Sequence, residues 1–260
     1  MTTQYTDRVI TGMQALFGDG YLSPGGAREM TELFEGLDIA GSRVLDIGCG
    51  LGGAAVALVG EFGAAHVTGI DVAPDLLRHA RARAEAKGLS RHIAFEAVEP
   101  GPFRFDDDAF DVVFTKDVFC HVEDKAAQFR EIARVLKPGG RLILADFVAG
   151  PPRQSHGGIY ETWLARSRAW GLSFLFEPEE VYTGACKAAG LVDVTARDHT
   201  TPAAAAALRE VAWLTGPEAA PLHEALGEEK FEARIGSSMW RHAALVCEAL
   251  RHIHLFARKG

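Results

Sequence analysis

The sequence has little that would fix it to a membrane, a nucleic acid or a zinc ion. No apolar run is long enough to span a bilayer, and the opening Met1-Thr-Thr-Gln-Tyr5 lacks the basic and apolar regions of a signal peptide. The expectation is a soluble, cytoplasmic protein without a membrane partner. Basic residues are in deficit: 27 Lys and Arg against 35 Asp and Glu leave a net charge of −8. The basic residues are also scattered, which excludes a nucleic-acid footprint. Only four cysteines occur, Cys49, Cys120, Cys186 and Cys247, and their wide spacing reads as small buried thiols rather than a zinc pattern. No cluster of Asp and His is legible, so no metal is expected. Repeats are missing too, since Ala203 to Ala207 is helical low complexity.

What the chain does have is one stretch that announces a ligand, Val44-Leu-Asp-Ile-Gly-Cys-Gly-Leu-Gly-Gly53. Val44 to Ile47 reads as a buried parallel strand, the glycines as a tight turn with N–H groups facing a ligand, and Ala54 to Phe62 as a helix. The spacing Gly48-x-Gly50-x-x-Gly53 also satisfies the dinucleotide fingerprint, so the glycines alone do not choose between NAD and another adenosine ligand. Asp46 tips the choice: a carboxylate beside the first glycine is poorly placed for a pyrophosphate and suits a cationic amino group.

Two helices, Thr6 to Phe17 and Ala27 to Leu37, precede this strand and are expected to lie over its ligand end. After the glycine turn, His66 to Ile70 reads as a second strand ending at Asp71, where an acid would hold a ribose diol. Pro74 to Lys87 is a helix stopped by Gly88, and His92 to Ala97 a third strand followed by Val98 and Glu99. Glu99 is placed either to meet an adenine amino group or as an exposed loop acid. Phe110 to Thr115 is a fourth strand, whose end carries Lys116-Asp117-Val-Phe-Cys-His121. Asp124 caps a helix to Leu136, Lys137 to Gly140 turns it, and Arg141 to Phe147 is the fifth strand. Tyr160 to Phe176, with Trp163, Trp170, Phe174 and Phe176, reads as a helical insertion that is either a pocket wall or a satellite core. Pro178 to Ala189 is a helix, Leu191 to Ala196 a sixth strand, and Thr201 to Gly227 a second helical insertion. His252-Ile-His-Leu-Phe-Ala257 alternates as a last strand, with His252 and His254 at exposed positions of one face rather than as metal ligands.

By this point the residues resemble a family. Val-Leu-Asp46-Ile-Gly48-Cys-Gly50, Gly-Ile-Asp71, Phe-Asp111-Val-Val and Leu-Lys-Pro138-Gly-Gly are similar, in that order, to the class I S-adenosylmethionine-dependent methyltransferases. The resemblance implies an α/β, Rossmann-like, seven-stranded and mostly parallel sheet, its seventh strand antiparallel. Residues 1–40 would be a helical lid on a domain of 41–260, with cap insertions near 150–189 and 200–249. A narrower likeness reaches the ends. Gln4-Tyr5-Thr-Asp7, Phe17-Gly18, Tyr21-Leu-Ser23, Gly25-Gly26, Gly-Leu-Gly-Gly53 and Asp117-x-x-x-His121 resemble the phosphoethanolamine N-methyltransferases. This implies a catalytic latch of Tyr5 and His121, with Asp117 in the same network. It also implies S-adenosylmethionine contacts from Gln4, Tyr5, Ser23, Asp46, Gly48, Cys49, Gly50, Asp71, Val72, Leu76, Val98, Glu99 and Lys116.

The chain departs from that family at Phe147, where a phosphate-binding tyrosine is usual, and at Ala243 to Cys247, where a lysine-rich stretch is replaced. Apolar replacements remove the reward for a phosphate, so the expected acceptor is flatter and more apolar than phosphoethanolamine. The expected reaction is methyl transfer to nitrogen or oxygen of a small molecule, with His121 as general base and Asp117 either orienting it or holding the cofactor. Alternatives are C-methylation of a metabolite, a non-methylating cyclase or binding protein on the same scaffold, and an NAD-dependent dehydrogenase, which Asp46 disfavours.

Overall fold

The computed structural model describes residues 6–151, 158–169 and 174–260. Seven strands form one sheet: β1 (Arg43–Ile47), β2 (His66–Asp71), β3 (Ile93–Ala97), β4 (Phe110–Lys116), β5 (Leu136–Ala149), β6 (Leu191–Asp198) and β7 (Leu250–Lys259). Their order is β3-β2-β1-β4-β5-β7-β6, and β7 runs antiparallel to both of its neighbours. The remaining pairings are parallel, so the carboxyl ends of β1, β2, β3 and β4 share one edge. The order reverses between β1 and β4, which opens a crevice at that edge where ligands bind in open α/β sheets.

Alternation along each strand divides the core. Val44, Val67, Phe95 and Phe114 face α2 (Gly26–Phe34), α3 (Gly53–Gly60) and α4 (Pro74–Ala86). Leu45, Val113, Leu142 and Leu255 face α5 (Lys125–Val135) and α7 (Glu179–Ala188). Local chemistry starts and stops the helices as expected. Thr6 caps α1 (Asp7–Phe17) by accepting from the Val9 N–H, Asp124 caps α5, and Pro74 opens α4.

Two expectations change here. The Lys137 to Gly140 turn is absorbed into one long strand: Phe110 pairs with Leu136 and Val112 with Arg141, so the glycines bulge out of a continuous β5. The aromatic insertion is a helix only over α6 (Ile159–Ala169). Phe174 and Phe176 lie beyond it in an irregular stretch, and Trp170, like Gln4 and Tyr5, falls outside the described residues.

The rest of the cap is α8 (Thr200–Leu214), α9 (Ala220–Leu226) and α10 (Glu228–Val246). Glu210 of α8 is buried against α10, where it accepts from Arg234 at 2.5 Å, from Ser238 at 2.7 Å and from Arg241. Burial alone would push the Glu210 carboxyl up, but the two guanidinium charges hold it below the usual range. Removing one partner of such a group strands buried charge. Glu210→Ala should therefore lower stability by about 3–5 kcal/mol, measured by urea unfolding. A loss under about 1 kcal/mol would mean that the two arginines find solvent without it.

Candidate functional site

The glycine turn between β1 and α3 is built by close approach. Gly48 has φ +73°, and a Cβ there would collide with Val118. Gly52 is also left-handed, at φ +78°, and a Cβ would stand 2.9 Å from the Phe95 ring. Gly50, at φ +51°, has nothing within 4 Å of its missing Cβ, so the turn leaves open space there. Asp71 braces the turn from β2. One carboxylate oxygen accepts from the Gly50 N–H and the other from the Ala73 N–H, each at 2.8 Å. Beneath them Asp46 is fully buried, and its Oδ2 has no partner. Burial, helped by the Asp71 charge, pushes the Asp46 carboxyl up to about 8. An orphaned buried carboxylate oxygen beside an open glycine turn fits a ligand with a cationic amino group.

The residues expected to line this crevice are brought together. Gly48, Cys49 and Gly50 follow β1, Asp71 and Val72 end β2, and Val98 and Glu99 follow β3, with the Val98 N–H donating to the Asp71 carbonyl. Val72 is 61% exposed and Glu99 is exposed on its loop, whereas Cys49 is buried. Leu76 packs under the turn with Ile10 and Leu51. The segment before β1 covers this edge. The Gly53 N–H donates to the Gly20 carbonyl at 3.1 Å, and Arg83 of α4 bonds Leu51 O, Asp19 and Gln14 at once.

Lys116, at the end of β4, is buried, and its ammonium donates to Ser23 Oγ at 3.2 Å, Pro24 O at 2.7 Å, Glu29 Oε2 at 3.0 Å and Asp117. Burial works against that charge, but the Asp117 and Glu29 carboxylates outweigh it and raise the Lys116 pKa. With its N–H donors taken by protein acceptors, Lys116 clamps α2 and the turn before it to the sheet edge. Asp117 is left-handed at φ +56°, a strained conformation for a non-glycine residue. Its other oxygen lies 3.4 Å from His252 Nε2.

Sequence reasoning missed this second half of the site. His252 and His254 are not at exposed positions but 1% and 0% accessible, because β7 is an interior strand and Glu29 of α2, His199 and Phe147 pack on that face. Glu29, also buried, presents Oε1 to His252 at 3.4 Å and to His254 at 3.3 Å. His199, before α8, stacks on His254 with centroids 4.0 Å apart. The only available signal was the His-x-His alternation, which does not report what covers a strand. Beside these residues opens a cavity of about 180 Å³, lined among others by Phe147, His252, Pro202, Arg28 and Arg209. Arg28, which pairs with Glu32 at 3.0 Å, and Arg209 put positive charge on its lining, which the sequence reading overlooked.

His121 sits on the turn after β4, exposed and stacked on Phe174 at 4.9 Å. Phe174 in turn stacks on Trp163 and Phe176, and this aromatic group packs with Phe147, Ala207 and Leu245. Of the two readings of the insertion, these contacts match the satellite core, and none of its described aromatics lines the cavity at Phe147. Trp163 is satellite core, while Phe174 offers its ring to His121.

A methyltransferase-domain family model matches residues 39–180. Phosphoethanolamine N-methyltransferase 1 of Arabidopsis thaliana is 32% identical over 198 residues, covering 76% of this chain and 38% of the plant protein. Methyltransferase GfsG of Streptomyces halstedii is 36% identical over 158 residues, covering 55% of this chain and 56% of that protein. Phosphoethanolamine N-methyltransferase 2 of Haemonchus contortus has been solved with phosphomonomethylethanolamine and S-adenosylhomocysteine. It shares the fold with a TM-score of 0.86 at 24% identity, over 99% of this chain and 58% of that one. The chain therefore spans well under half the length of the plant relative it matches.

The Lys116 clamp yields a prediction about stability and pH. Lys116→Met leaves two buried carboxylates without their counter-charge, so it should cost about 3–5 kcal/mol near neutral pH. The Glu29 carboxyl is subject to burial, which raises it, but Lys116 and His252 hold it well below the usual carboxylate range. Its contribution is present above the unfolded carboxylate pKa, about 4.3, and is lost as pH falls below that. The gap between wild type and variant, followed by denaturation at several pH values, should narrow in acid. A gap independent of pH would show that the clamp acts by packing alone.

Proposed function

The chain belongs to the methyltransferase-domain family, and from that premise we propose that it transfers a methyl group from S-adenosylmethionine to nitrogen or oxygen of a small-molecule acceptor. The observation that carries this reading is the partnerless, buried Asp46 Oδ2 beside the open glycine turn. Bound there, S-adenosylmethionine supplies a methyl already activated on a sulfonium. Asp46 would take its amino group, Asp71 its ribose, and Val72, Leu76, Val98 and Glu99 the adenine side. The covering segment before β1 would exclude water, and catalysis would come mainly from alignment of donor and acceptor. His121 would take the acceptor's proton, since histidine is the side chain that ordinarily titrates near neutral pH. Phe174 stacked on its ring supports a fixed orientation for that base. Tyr5, outside the described residues, would close over His121 as the latch. The acceptor would enter by the cavity at Phe147, whose ring offers no hydroxyl to a phosphate.

The first test is calorimetric. S-adenosylmethionine should bind and NADH should not, and Asp46→Asn should weaken binding by about 2–3 kcal/mol. Free Asp46 stays protonated up to about pH 8, and a cationic ligand favours its ionised form, so binding should release a proton at pH 6–7 and tighten as pH rises toward 8. An enthalpy independent of buffer, with Asp46→Asn binding normally, would remove Asp46 from the site.

The second test uses labelled methyl donor and a panel of amines, phenols, carbon acids and phosphoethanolamine. Transfer should favour phosphate-free nitrogen or oxygen acceptors. His121→Ala should lose about 10²-fold in turnover, with Tyr5→Phe adding little on top of it. Efficient methylation of phosphoethanolamine over the rest would overturn the acceptor class. Full turnover by His121→Ala would overturn the base.

A further inference from the structure

We propose that Glu29, His199, His252 and His254 form a binding site for one divalent transition-metal ion in the wall of the acceptor cavity. One donor atom from each residue lies within 4.8 Å of the others, and all four residues are buried. They come from α2, from the residue before α8, and from β7, so folding alone assembles them. This inference stands apart from methyl transfer, because it rests on the donor set and not on any cofactor.

The cluster crowds three imidazoles around one buried carboxylate. Both His252 Nε2 and His254 Nε2 converge on the same oxygen, Glu29 Oε1. The Nδ1 atoms of His199, His252 and His254 are buried without a partner. His199 and His254 stack at 4.0 Å, and His252 lies 5.5 Å and 5.8 Å from them by ring centroids. A neutral Nε2–H imidazole can donate to Glu29, but the Nδ1 lone pairs of three crowded rings then lie buried with no protein donor. A divalent ion would take these neutral imidazoles and the carboxylate as ligands.

The surroundings have the features of a metal site. The second oxygen of Glu29 is held by Lys116 at 3.0 Å, and the Nε2 of His199 lies 2.8 Å from Glu32 Oε2, as outer partners that orient ligands. Gly25 adopts φ +85°, and a Cβ there would collide with the Glu29 carboxylate. Metal–ligand bonds of about 2.0–2.2 Å put tetrahedral donors roughly 3.4 Å apart, so small side-chain shifts would close the shell. Three imidazoles with one carboxylate suit zinc, iron, cobalt or nickel rather than magnesium or calcium. The cavity touches Glu29, His199 and His252, giving an ion a route in and an open side for water or an acceptor oxygen.

The test uses the full chain, stripped by chelator and dialysed. Titration with Co²⁺ should show one equivalent bound, with visible d–d absorption, and Zn²⁺ should displace it and raise the melting temperature. His254→Ala and His199→Ala should each weaken Co²⁺ binding by about 100-fold or more. Far-UV circular dichroism of these variants reports separately whether they fold. If they do not fold, the wild-type titration still decides. Less than a tenth of an equivalent of Co²⁺ or Zn²⁺ on wild type, with no thermal shift, would overturn the site. So would stoichiometric binding that folded His199→Ala and His254→Ala leave unchanged.

Discussion

A buried ammonium at the end of β4 holds the two halves of this molecule's working edge together. Lys116 is inserted between Ser23, Pro24 and Glu29 on one side and Asp117 on the other. A lone buried lysine would discharge, and two lone buried carboxylates would protonate. Each is kept charged only because the others are in place. α2 and the turn before it are therefore bound to the sheet by a mutual electrostatic requirement as well as by the apolar contacts of Met30, Leu33 and Phe34. Lys116 ties the turn from Ser23 to Gly26 to the sheet through Ser23 Oγ and Pro24 O.

That clamp also explains why a donor crevice and a histidine cluster share one edge. The glycine turn and Asp46 lie where β1 and β2 end, and the order reversal between β1 and β4 keeps this crevice open. On the far side of Lys116, α2 brings Glu29 down onto His252 and His254 of β7. Because β7 runs antiparallel, its early residues His252 and His254 stand beside Phe147 and Ala145 of β5, toward the same carboxyl edge. A parallel seventh strand would have carried that pair of histidines toward the opposite edge.

Much of the fold was legible because its signals are local. Asp46 with Gly48 and Gly50, Pro74 at a helix start, Asp124 at a cap and alternating apolar strands each depend on backbone conformation within a few residues. Even Asp71 was placed correctly at a strand end, although its bonds to Gly50 and Ala73 add a bracing role that spacing alone does not reveal. Two secondary-structure elements were misread. Lys137 to Gly140 has turn chemistry that a long strand tolerates as a bulge. The helix expected to Phe176 gives way to an irregular stretch that still delivers Phe174 and Phe176 to Trp163.

The sequence by itself determined the order of strands and helices, the ligand turn and the acid beneath it, because those follow from steric rules and periodicity over short distances. Only the tertiary structure decided what covers each face. Alternation put His252 and His254 together on one side of a strand, but a strand does not know its neighbours. Glu29 lies 225 positions from His254, and together with His199 and Phe147 it turns their face from a solvated one into a buried one. The same holds for Lys116, whose partners Ser23 and Glu29 are some ninety residues away. Burial and charge pairing are properties of the packed chain, and they assign chemistry to residues whose local sequence is silent.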